Sequence, residues 1–179
     1  MSDGRTSIAL SSSEVRAVVS FAVACARPAL AIFERDRPGD RRPRAAVDAA
    51  RAFADGCERT TALRDTAWAA HRAAQEARDA GRAAASEAAR AAGHAAGAAF
   101  LHPRAQATQV KHILGSAAHA ARAVELAAGS DPAVAADHLA RCRILAGSVV
   151  SDVLRRYPAA PDGGGRVGEL LRRLDATLR

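Results

Sequence analysis

Apolar positions recur along this chain at intervals of three and four residues and almost nowhere in strict alternation. That is the period of a helix face, not of a half-buried strand. Val15, Val18, Val19, Ala22, Cys25, Ala26, Ala29 and Phe33 mark a first helix over 13–27 and a second piece to about Asp36. Pro28 is expected to kink or break the two. Ser11–Ser13 followed by Glu14 supplies the N-cap chemistry. The turn Arg35–Arg44 precedes a helix that begins near Pro43 and stops at Gly56, with Val47, Ala50, Phe53 and Ala54 on one side. From Thr60 or Thr61 the seam Leu63, Ala67, Ala70, Ala74, Ala77 steps by four and three, as coiled-coil seams do.

After Gly81 the pattern predicts a helix over Arg82–Leu101. Its polar stripe is Glu87, Arg90, His94, and Ala89, Gly93, Gly97, Phe100 form the face another helix can approach closely. His102-Pro103 is a break. Val110, Ile113, Leu114, Ala117, Ala121, Val124 and Ala128 make the stripe of the next helix, which spans 103–128. Gly129-Ser130-Asp131-Pro132 combines stop, cap and first-turn proline. The following helix carries Ala135, Leu139, Cys142, Ala146, Val149 and Val153, widened by Leu145, Val150 and Leu154, and ends at Tyr157-Pro158. The expected organisation is a flexible leader over 1–12, a helical bundle over 13–157, a Gly/Pro linker over 158–165 and a C-terminal helix over 166–179.

Composition strengthens the helical reading. The 179 residues include 49 alanines and 25 arginines, and aromatics are only 3%. Alanine and arginine favour helices, and strand-forming residues are scarce. Each alanine contributes little burial, about one CH₂ at ~0.8 kcal/mol. Such a bundle compensates by close helix packing or by burying surface in an oligomer, so a homodimer is expected. The fold class is all-α, an Ala-rich bundle of about six or seven helices.

Charge changes the picture less. The formal net charge is +7. Residues 1–58, 59–129 and 130–179 carry nets of +1, +4 and +2, so no segment is a basic block. Nucleic-acid binders concentrate Lys and Arg on one face, and dispersed arginines instead solvate helix exteriors. The cysteines, Cys25, Cys57 and Cys142, form no CxxC and are odd in number, which fits reduced thiols and a cytoplasmic protein. No secretory leader is recognised, and the early apolar run Ala17–Ala26 is half a membrane span.

Little here carries chemistry. His71 and His94 lie on neighbouring helices, and His112 and His119 share a face two turns apart, which makes the four the only candidate metal ligands. No HxxxH or HExxH spacing and no suitably placed carboxylate converges with them, so no metal site and no cofactor is expected. Ser116 and His119 are one turn apart, but no nucleophile elbow, orienting acid or glycine-rich oxyanion loop accompanies them. Gly163–Gly165 is not a phosphate-binding loop, and no enzyme is expected. The best interaction candidate is Trp68, off the Leu63 seam beside Arg64, His71, Arg72 and Gln75. Trp and Arg dominate binding hot spots where they reach the surface.

Three stretches carry a resemblance: DRRPRAAVDAARAFADG (Asp40–Gly56), TAWAAHRAAQEAR (Thr66–Arg78) and AARAAGHAAGAAFLH (Ala88–His102). Together they resemble the bacterial immunity-protein-five-like family over roughly Glu14–Ala128. The positions that match its pattern include Asp40, Arg42, Pro43, Arg44, Arg51, Gly56, His71, Arg90, Gly93 and His94. The family pattern continues into a further histidine-bearing run, whereas this chain has Phe100 at the first such position and a rearranged His102–Gln109. The resemblance implies an all-helical fold, no catalytic residues, and stoichiometric binding of a protein partner, a cognate toxin. Two alternatives remain at this point: an Arg-rich helical protein contacting nucleic acid, and a metal-binding protein using His71 and His94.

Overall fold

The computed structural model describes residues 6–179. Seven α-helices follow in chain order: α1 Ser12–Asp36, α2 Arg42–Ala54, α3 Thr61–Asp79, α4 Ala83–Gly97, α5 Val110–Ala127, α6 Pro132–Arg155 and α7 Gly165–Leu178. Among the described residues the only extended pairing is one bridge, Ser7 to Arg104. The all-α bundle predicted from the sequence is the fold observed.

The alanine-rich α4 sits at the centre, packed against α1, α2, α3 and α5. A helix enclosed on so many sides needs small side chains all round, and Ala85, Ala88, Ala89, Ala91, Ala92, Ala95 and Ala96 are all buried. The larger aliphatics fill the gaps from α1, α5 and α6, with Val18, Val19, Phe33, Ile113, Leu114 and Val153 fully buried. Helix α7 docks on α5 and α6 of its own bundle through Leu170, Leu171, Leu174 and Leu178.

Several predicted boundaries move, each for a physical reason. Helix α1 runs unbroken through Pro28. Pro28 and Arg27 are exposed and Ala24, whose carbonyl loses its partner, is only half-buried, so the proline sits on the outer side of the helix. Burial of Cys25, Ala26, Ala29, Leu30 and Phe33 around it offsets a cost of about 3 kcal/mol. The start is as expected: Ser11 and Glu14 form a reciprocal capping box. By length and composition α1 is also apolar enough to cross a membrane, with mean hydropathy 1.7, and 56% of that window is buried in the fold.

The helix predicted over 82–101 ends at Gly97, where a 3₁₀ turn, Ala98–Phe100, takes over. The helix predicted over 103–128 is delayed to Val110 by a second 3₁₀ turn, Ala107–Gln109. On α5 the stripe turns away before its end: Val124 is half-buried and Ala128 exposed. The buried position there is Glu125, clamped by Arg166 and Arg122. On α6 the seam holds through Ala146 and then slips. Gly147 adopts φ 63°, ψ −173°, which only glycine takes readily. Beyond it Val150, Val153 and Leu154 are buried and Val149, assigned to the apolar face, is exposed; before it Leu145, assigned to the same face, is exposed beside Ile144.

The two ends expected to be loose are tied. Ile8 is buried, its N–H donates to Pro103 O, and Ala105 N–H donates to Thr6 O. Residues 1–5 of the predicted leader lie outside the described residues. In the 158–165 linker, Ala160 N–H donates to Asp175, and Arg179 donates to the carbonyls of Tyr157 and Pro158.

Candidate functional site

The residues that match the family pattern separate into two places. The first is a corner between α1, α2 and α3. Asp40 accepts from the backbone and guanidinium of Arg42, which reaches on to Glu76 of α3 at 2.5 Å. Arg44 pairs with Glu34 of α1. Pro43 occupies the first turn of α2 and is buried, and Gly56 ends the helix with φ 122°. Arg51 is exposed. The guanidinium of Arg42 holds the Asp40 carboxyl below its ordinary range, and Arg44 does the same for Glu34. Asp40, Arg42, Arg44, Glu34 and Glu76 fasten three helices together, while Arg51 stays on the surface.

The second place is a row of rings crossing α3, α4 and α5. Trp68 and His71 meet edge-on, with centroids 6.3 Å apart. His71 and His94 meet at 5.3 Å and 86°, and His94 stacks on His119 at 4.7 Å and 18°. The row ends where the Nδ1–H of His119 meets the Glu87 carboxylate at 2.5 Å. Two glycines make room for it. A Cβ on Gly93 would stand 2.8–3.0 Å from the His71 ring, and a Cβ on Gly115 would stand 2.7 Å from Nδ1 of His94. Gly93 was expected to admit another helix backbone; it admits an imidazole. Gly97, its predicted companion, faces open space.

Burial keeps the middle of the row uncharged. The His94 imidazolium is destabilised first by desolvation and then by His119 and His71, so its pKa falls well below the ordinary histidine value. His71 is lowered by burial and by Arg90. His112 was grouped with these residues as a ligand candidate, but it turns away to the Gly97 carbonyl at 3.1 Å, and burial lowers its pKa too. Among the described residues no group of three or more His, Cys, Asp or Glu side chains is arranged to hold a metal ion. Ser116 is also accounted for: its buried hydroxyl lies 2.9 Å from the carbonyls of both Ala22 and Ala91.

At one end of the row Trp68 is 60% exposed on α3. Arg64, Arg72 and Gln75 are exposed on the same helix, and Gln75 donates to Asp79. Phe100 lies under the guanidinium of Arg64 at 4.7 Å and that of Arg59 at 5.6 Å. The Phe100 ring thus positions one of the cations beside Trp68.

The Imm-5 like putative immunity protein family matches residues 9–146 of the 179. The chain belongs to this family. No curated protein and no solved structure matches it. As an immunity-family member its expected counterpart is a protein such as a toxin.

At the other end of the row lies a cleft of about 590 Å³ between α4, α5 and α7, lined by Arg78, Glu87, Arg90, His94, Lys111 and His119 among others. The sequence reading did not assemble it. Its components were visible as Glu87, Arg90, His94 on α4 and as Lys111, Gly115, His119 on α5, each set stepping by helical turns. The wall from α7, with Val167 and Leu171, could not be placed from spacing.

Proposed function

We propose that this protein is a non-catalytic immunity protein that neutralises a toxin by one-to-one association through the Trp68 face of α3. The observation that carries the reading is the exposure of Trp68. A single tryptophan in an aromatic-poor chain stands 60% exposed on a rigid helix, braced from behind by His71 and flanked by Arg64 and Arg72. An exposed tryptophan gains most when a partner desolvates it, and neighbouring arginines add charge-assisted bonds to carboxylates. The chemistry favours a partner with an apolar pocket rimmed by acidic side chains. Ser116, one turn from His119 in sequence, spends its buried hydroxyl on backbone carbonyls of α1 and α4.

The test is capture of a partner from native lysate, followed by titration of the purified pair with wild type and Trp68→Ala. Saturation at one-to-one, loss of toxicity in the mixture, and a loss of about 2 kcal/mol on truncation, roughly thirtyfold in Kd, are expected. Undiminished affinity of Trp68→Ala would move the interface off α3.

A further inference from the structure

We propose that the cleft between α4, α5 and α7 is a binding site for a small phosphate monoester, distinct from the Trp68 face. Three cations, Arg78, Arg90 and Lys111, line it against one carboxylate, Glu87, which is already engaged by His119. None of the three cations has an ion-pair or hydrogen-bond partner among the described residues, in contrast to Arg42, Arg44, Arg156 and Arg166. Lys111 is the sole lysine in a chain of 25 arginines. The cleft therefore carries an excess of two positive charges. A phosphate monoester, at about −1.5 to −2 near pH 7, matches that excess better than a single carboxylate does.

Size and walls agree. A cleft of about 590 Å³ falls within the range of small-molecule sites. Val167 and Leu171 give it one apolar side for the body of an ester, and the ring of His94, with no protein hydrogen bond among the described residues, offers a neutral polar group. The α7 wall is preformed. Arg166 is clamped to buried Glu125, and Arg172 donates to Gly163 O at 2.6 Å, which holds the turn leading into the helix. A preorganised site spends less of its binding energy on ordering. This wall lies beyond residues 9–146, so the site is completed by a part of the chain outside the family match.

Calorimetric titration of the full chain with inorganic phosphate, phenyl phosphate and succinate tests this at low ionic strength. Saturable one-to-one binding of both phosphates is expected, with phenyl phosphate the tighter. Lys111→Gln and Arg90→Gln should each weaken it at least about tenfold. Arg141→Gln, an exposed arginine on α6, should leave it unchanged. Lys111 is exposed, so its variant should keep the wild-type melting temperature. Ala83→Trp, which fills the cleft and keeps its charges, should abolish binding. The proposal is overturned by absence of saturable phosphate binding, by tighter binding of succinate, or by equal losses in Lys111→Gln and Arg141→Gln, which would mean diffuse attraction to a cationic surface.

Discussion

Two regions of this molecule use the same residue types to opposite ends. At the α1–α2–α3 corner the arginines that join helices are matched by carboxylates: Arg42 bridges Asp40 and Glu76, and Arg44 holds Glu34. In the cleft beside the histidine row, Arg78, Arg90 and Lys111 face one carboxylate that is already engaged. Paired charges at a helix junction orient elements and contribute little net energy. Unpaired charges around a concavity store electrostatic potential that a ligand can satisfy. The same residue types therefore fasten helices in one region and line a cleft in the other, and the pairing state of the charges tells the two regions apart.

The comparison can be broken most forcefully at the glycines of the row. In a helix interior Gly→Ala normally stabilises, by up to about 1 kcal/mol. Gly115→Ala should do the reverse and cost about 1–3 kcal/mol in denaturant unfolding, because the new Cβ meets His94 at 2.7 Å. Gly97→Ala, where nothing lies within reach, should be neutral or stabilising. If both variants stabilise, the row is not locked by its glycines.

Acidification sharpens the same contrast. His71, His94 and His112 have folded pKa values below the unfolded one, so the unfolded chain binds more protons once pH falls through about 6.5. The stability they contribute is complete above that pH and declines below it, by about 1–3 kcal/mol between pH 7.5 and 5. His94→Gln should flatten this part of the curve. An unchanged slope in that variant would show that His94 is not the group being titrated. The corner contributes nothing in that window, since its carboxylates are held below their ordinary values and titrate at lower pH. The smallest effect belongs there: Arg42→Gln should lower Tm by only a few degrees and leave both partner and phosphate binding intact. A collapse of the fold would make the corner a keystone instead of a fastening.

Much of the architecture was legible because helix periodicity is local. Seams such as Leu63–Ala77 and caps such as Ser11/Glu14 and Asp131/Pro132 involve residues within a few turns of one another, and the structure keeps them. The misjudged points were those at which the environment outvotes the local signal. Pro28 survives inside α1 because it sits on the exposed side of the helix while its neighbours are buried. Val149 lost its place in the core because one glycine changed the register of α6. Gly93 was legible as a place of close approach, but what approaches is an imidazole from α3.

From the order of residues alone came the helix class, most helix positions and the grouping of Trp68, Arg64 and Arg72, since each depends on spacing within one segment, while the family came from a resemblance carried by three stretches. The joining of His71, His94 and His119 into a row, the release of His112 from it, the pairing of Glu87 and the closing of a cationic cleft by α7 required the packed bundle. Those contacts join residues tens of positions apart, and their charge states depend on burial, which is a property of the packing and not of any one segment.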